Sequence, residues 1–166
     1  MTLVAPTGTT AIEYVATPIG TLEIKANSHG VECIQFVEEI HRSVPNEHTQ
    51  HAKNWLIAYF EGHKTPFTAP LQLSGTPFQM KIWHLLRDIP FGATLSYSAI
   101  ALKYDEKTHV RAVAGAIARN PLLLAIPCHR VIGKSGQLRG YAGGLSRKEW
   151  LLSHEKGIYD LSLFPA

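Results

Sequence analysis

Residues 96–121 read SYSAIALKYDEKTHVRAVAGAIARNP. Two short helices are legible in this stretch. Ser96 can cap the first, which places Tyr97, Ile100, Ala101 and Tyr104 on one face. Thr108 can cap the second, HVRAVAGAIAR, which the Asn120–Pro121 pair ends. Just upstream, Thr76 can cap a further helix with Pro77 at its first position. Phe78, Ile82, Leu85, Leu86 and Ile89 then keep helical spacing until PFG breaks it. Three short helices in succession suggest a helix-turn-helix.

The third of these helices is divided lengthwise. Val110, Val113 and Ile117 form one stripe, the expected core side. The other side carries Arg111, Ala112, Gly115, Ala118 and Arg119. A helix that reads the major groove carries long polar side chains. A nearly bare face instead allows close approach to a backbone or a narrow groove. The plainer reading is a helix–helix contact through small residues.

The charge is uneven along the chain. Residues 1–74 carry 4 Lys/Arg and 7 Asp/Glu, whereas residues 75–166 carry 12 and 6. From Lys107 to Lys148 there is no acidic residue against eight basic ones. Such a field attracts polyanions, although a soluble domain can be basic without a nucleic-acid partner. Two cysteines, Cys33 and Cys128, make no disulfide framework and point weakly to a reducing compartment. They also exclude a structural zinc site of three or four thiolates, and no HExxH pattern occurs. No secretory leader is legible, and no segment approaches the ~18 uninterrupted apolar residues of a membrane span.

The amino-terminal third alternates differently. Segments near 11–17, 21–26 and 31–37 are rich in Ile, Val and Phe and are separated by PIG and NSHG, as in an antiparallel meander. Ala52, Trp55, Leu56, Tyr59 and Phe60 then recur at helical spacing up to Gly62. The proline-containing HKTPFTAPLQLSG marks a boundary. The expectation is an α+β protein: residues 1–73 a sheet-and-helix unit with a small antiparallel sheet, residues 74–166 a helical, winged helix-turn-helix-like unit carrying the site. VIGKSGQLRGYAGG is punctuated by glycine as a hairpin or wing would be, and LSRKEWLLSHEKG reads as a last helix stopped by Gly157.

IPCHRVIG, residues 126–133, sets Cys128 directly before His129. Neighbours on an extended strand point to opposite faces, so the two are not automatically a pair. A turn after Pro127 would bring both to one cavity. Thiolate is the nucleophilic form, and Arg130, Lys134 and His129 would supply an electropositive setting that lowers the thiol pKa. Glu155, on the last helix, is a candidate to orient the histidine. Taken alone, a cysteine after the apolar LLLAIP is more readily an inert core thiol than a reactive one. Cys33 has no basic partner close in sequence and reads as core.

These residues resemble a known family. IPCHRVIG is similar to the active-site signature of the O6-alkylguanine-DNA alkyltransferases. GTPFQMKIWHLLRDIPFGATLSYSAIA, VRAVAGAIARNP and GYAGGLSRKEWLLSHE resemble family blocks in the same order, so that residues 74–156 match strongly and the amino-terminal part more loosely. The resemblance implies DNA repair by a single stoichiometric transfer of the alkyl group from a flipped O6-alkylguanine to the protein. Cys128 would be the acceptor, His129 the base acting through water, and Glu155 its polarising partner. Asn120 would be a hinge and Tyr97 the proton donor to guanine. The carbonyls of Cys128 and Val131, with Tyr141 and the amide of Ala142, would hold the base. Arg111 would enter the duplex, with Ala112, Gly115, Lys134 and Arg139 also at the DNA. The implied partner is double-stranded DNA carrying O6-alkylguanine, with O4-alkylthymine as a second lesion. A monomer is implied, with no cofactor, no metal and no membrane, cytoplasmic in a prokaryote and nuclear in a eukaryote. Two positions depart from the pattern: Ala114 replaces a usual glycine, and Arg139 stands where many relatives have a small residue. Three competing readings are a turning-over thiol hydrolase, a non-catalytic helix-turn-helix regulator and a lesion-binding relative without transfer. The last would lack the acceptor cysteine.

Overall fold

The computed structural model describes residues 10–158. Residues 1–9 and 159–166, the outer ends of the two expected units, lie outside them. β1 (Ala11–Thr17), β2 (Gly20–Ala26) and β3 (Val31–Val37) form an antiparallel meander in that order, with Glu13 opposite Ile24 and Ile24 opposite Ile34. Leu22, Ile24 and Ile34 are buried on the inner face, as period-two alternation requires. α1 (Glu47–Phe60) covers that face with Ala52, Leu56 and Tyr59. Its first turn is closed by a reciprocal Asn46–Thr49 capping box. Gly62 at φ 90° takes the left-handed turn that lets the chain leave the helix.

The stretch read as a boundary is hydrogen-bonded into the sheet. Val31 N–H donates to Pro70 O at 2.8 Å, and Gln72 N–H donates to Val31 O at 2.8 Å. The chain then enters α2 (Pro77–Arg87), where Thr76 and Gln79 form a second capping box. β4 (Leu95–Ser96) leads into α3 (Tyr97–Tyr104), capped by Ser96, and α4 (Val110–Ala118) follows. These three helices pack pairwise, and Trp83 of α2 ties to α4 through its indole N–H, which donates to Ala116 O at 2.9 Å. A 3-10 turn over Cys128–Arg130 runs into β5 (Val131–Ile132), and α5 (Leu145–Glu155) closes the described chain.

Three expectations are corrected. His109, not Thr108, occupies the cap position of α4, and it makes no side-chain cap bond. Thr108 is held in the preceding turn, its N–H donating to Asp105 O at 2.9 Å. Val110 is 43% exposed, so the core stripe of α4 is Val113, Ala116 and Ile117. The glycine-rich stretch begins not as a hairpin but as β5, paired in parallel with β4. Its local closure is the Gly133 N–H to Gln137 O bond at 2.7 Å.

The two halves share one core. Ile34 N–H donates to Pro121 O at 2.9 Å, and Leu123 N–H donates to Ile34 O at 3.0 Å. The segment leading to the cysteine is thereby laid against the amino-terminal sheet.

Candidate active site

The 3-10 turn separates Cys128 from His129. After Pro127 the backbone tightens, and the thiol reaches the wall of a cavity of about 770 Å³ while the imidazole is fully buried against α5. The cavity lies between α4 and residues 133–142, with Tyr97, Ala114, Ile117, Cys128, Tyr141 and Ala142 in its wall. Arg111, Lys134 and Arg139 also line it and are exposed. Ala112 and Gly115 are exposed on α4 outside the lining, and a Cβ at Gly115 would meet nothing within 4 Å. Val131 is buried behind the wall rather than in it, because β5 turns it into the core beside β4.

Asn120 ties α4 to the cysteine. Its Nδ2 donates to Cys128 Sγ at 3.1 Å and to Ile126 O at 2.8 Å, and its Oδ1 accepts from Leu122 N–H at 2.9 Å. The expected electropositive lowering of the thiol does not occur. Burial pushes Cys128 up to about 11, against the Asn120 bond and the Lys148 charge. Arg130 is committed elsewhere, and Lys134 is exposed. The resting group is therefore a thiol that needs a base. Cys33 is half-buried and also raised, burial outweighing Lys25, which stands opposite it in the sheet register and which sequence distance had hidden.

Glu155 gathers donors from four places. His129 Nε2 lies 2.6 Å from Oε1, Tyr59 hydroxyl donates to Oε1 at 2.7 Å, and Gly92 N–H donates to Oε2 at 2.9 Å. Arg130 donates from Nε to Oε2 and from Nη2 to Oε1, each at 2.9 Å. Burial alone would raise this carboxyl, but the His129 and Arg130 bonds hold it well below the usual carboxylate range. An ionised carboxylate only accepts, so His129 carries its proton on Nε2. Burial pushes His129 down against the pull of Glu155, which keeps the ring neutral. Its Nδ1 is buried and has no hydrogen-bond partner among the described residues.

Tyr97 hydroxyl donates to Arg139 O at 2.8 Å, and burial raises its pKa. Lys148 is fully buried below it, donating to Arg139 O at 2.7 Å and lying 3.5 Å from the Tyr97 hydroxyl. Burial pushes the lysine down to about 8, and a negative charge on Cys128 would pull it back up. Lys148, Tyr59 and Gly92 were not anticipated. Lys148 does share the helical stripe of Leu151 and Glu155, which was a usable signal. Among the described residues no cluster of three or more His, Cys, Asp or Glu is placed to hold a metal, and no helix is long and apolar enough to cross a membrane.

Comparison with known proteins gives consistent matches. Residues 11–73 match the 6-O-methylguanine DNA methyltransferase ribonuclease-like domain, and residues 77–157 match the DNA binding domain of the same description. A methylated-DNA–protein-cysteine methyltransferase of Mycobacterium leprae is 42% identical over 155 residues, covering 89% of this chain and 94% of that one. The inducible enzyme of that name from Bacillus subtilis is 50% identical over 101 residues, 61% of this chain and 56% of its own length. The crystal structure of Mycobacterium tuberculosis O6-methylguanine methyltransferase superposes with a TM-score of 0.80 at 37% identity, covering 93% of this chain and 99% of that one. A structure of Mycobacterium tuberculosis OGT in complex with DNA gives 0.81 at 35% identity, with coverage of 91% and 96%.

Proposed function

This chain belongs to the 6-O-methylguanine DNA methyltransferase family, and on that premise we propose that it repairs duplex DNA by moving the alkyl group of O6-alkylguanine onto Cys128. The observation that carries the reading is the thiol in the cavity wall with a neutral, carboxylate-anchored histidine buried behind it. His129 Nδ1 takes the Cys128 proton through a water, and Glu155 stabilises the imidazolium that results. The thiolate attacks the alkyl carbon. The S–C bond forms, the C–O6 bond breaks, and its electron pair goes to guanine, which takes a proton from Tyr97. Lys148 beside that phenol stabilises the phenolate until the imidazolium proton restores it. No net proton is consumed. The thioether has no ready return, so each chain acts once.

The base cannot be reached inside a stack and must be flipped, at a cost of a few kcal/mol. Arg111 fills the space it leaves. The bare face of α4, with Ala112 and Gly115, fits the minor groove, and Lys134 and Arg139 meet the strand at the cavity rim. Asn120 holds α4 and the cysteine in register. Tyr141, the Ala142 amide and the Cys128 carbonyl hold the base. The Val131 carbonyl would have to reach past the wall to join them. O4-alkylthymine, which also carries its alkyl group on an exocyclic ring oxygen, is the second lesion. We take the chain to act as a monomer with its units divided between residues 73 and 74, where the chromosome is: cytoplasm in a prokaryote, nucleus in a eukaryote.

Mass spectrometry after incubation with a duplex containing O6-methylguanine tests the reading. One added methyl per chain, on Cys128, is expected. Label on Cys33, or sustained turnover, rules it out.

A further inference from the structure

The reaction just described draws only on the carboxyl-terminal half, yet the carboxylate behind its base is also bonded from the amino-terminal helix. The Tyr59 hydroxyl of α1 donates to Glu155 Oε1 at 2.7 Å and lies 3.5 Å from His129 Nε2, which shares that oxygen at 2.6 Å. Tyr59 is held at both ends by consecutive residues of α5. Glu155 takes its hydroxyl, and His154 Nε2–H donates to its carbonyl at 2.8 Å. The rings of Trp55, Phe60 and Phe91 pack on it with centroids 5.2–5.7 Å away. Burial, then the Glu155 charge, hold the phenol well above its usual range, so it stays a donor. A phenylalanine would fill the same core. A buried hydroxyl costs stability unless it is bonded, and this one is bonded to the partner of the base.

We infer that Tyr59 is a positioning residue for alkyl transfer, setting the basicity of His129 through the oxygen of Glu155 that both share. The inference rests on His129 being the base. A donor on Oε1 draws charge from the atom that would stabilise the imidazolium. Without it the carboxylate is more basic and holds the imidazolium more firmly. The neutral ring that accepts the Cys128 proton then appears only at higher pH. The other groups facing His129 are Glu155 and Lys148 from α5, Arg130 and Cys128 from its own turn, and Tyr141 from the cavity loop. Tyr59 is the contribution of the amino-terminal half among the described residues.

The test is single-turnover methyl transfer from an O6-methylguanine duplex across a pH series, for the wild type and Tyr59→Phe, with thermal melting and duplex affinity measured alongside. The acid limb of the rate profile should move up by about one pH unit, so transfer below the midpoint slows by up to about tenfold. The plateau and duplex affinity should stay as in the wild type. An unmoved acid limb in a folded variant overturns the inference. If Tyr59→Phe melts early, 3-fluorotyrosine at position 59 keeps the ring and gives a stronger donor. It should shift the limb to lower pH, and no shift or an upward one overturns the inference equally. A wild-type chain that takes no methyl on Cys128 removes the parent reading and this inference with it, whereas normal wild-type transfer with superimposable limbs removes this inference alone.

Discussion

Cys128 is reactive by position rather than by ionisation. With its thiol near 11, the proton must leave to a base as the sulfur attacks. His129→Gln should therefore lose most methyl transfer at neutral pH and regain part of it as the pH rises toward the thiol's own range. A variant with a flat deficit at every pH would mean that His129 only shapes the turn. Lys148 adds the nearest useful charge, and with its own pKa near 8 that charge fades in mildly alkaline solution. Lys148→Gln should raise the Cys128 thiol further, read as slower alkylation by iodoacetamide at fixed pH. Faster alkylation would contradict the assigned field. Arg139 offers its carbonyl to Tyr97 and Lys148, while its side chain stands exposed at the rim. Arg139→Ala keeps that carbonyl. It should speed reaction with free O6-benzylguanine, which depends on apolar contact with the rim, and flatten the salt dependence of duplex binding. A slower free-base reaction would remove Arg139 from the rim.

At the scale of elements, α4 faces two demands. Gly115 sits mid-helix on the exposed face with open space beyond it, where alanine is favoured by about 1 kcal/mol. Gly115→Ala should therefore raise the melting temperature and weaken duplex binding together. Stabilisation without any loss of affinity would place DNA on another face. Arg111→Ala, at the start of the same helix, should slow repair in a duplex far more than reaction with a free base, and equal losses would make its role generally electrostatic. The caps at Thr76 and Ser96 and the three strands were legible because each is signalled within a few residues of itself. The start of α4 was not, because the Asp105–Thr108 turn claims the residue whose hydroxyl looked like a cap. β5 was not legible either. Two residues carry no period, and their partner β4 lies more than thirty positions earlier.

Among the described residues, His129, Arg130 and Glu155 form a buried charged cluster behind the active-site turn, and acid should undo it. His129 and Glu155 both titrate lower in the folded chain than outside it. Each then contributes stability that is present above its unfolded pKa and lost as pH falls, from about 6.5 for the histidine and about 4.3 for the glutamate. Melting temperature should start to drop below about pH 6.5, and His129→Gln should remove that first step. An unchanged first step would assign it to another histidine. The motif residues of this cluster could be named from sequence, since Cys128, His129 and Arg130 are adjacent and Asn120 and Glu155 lie in matching blocks. Tyr59 read only as core, because its hydroxyl bonds a residue 96 positions away and periodicity reports a buried face without its polar tip. The same long reach has a cost at birth. The outer edge of β3 is closed by Leu71 and by Leu122, both synthesised well after it. A nascent chain on the ribosome therefore carries a formed meander with an open apolar margin until its second half emerges, and that interval is when it is most apt to join a neighbour instead of itself.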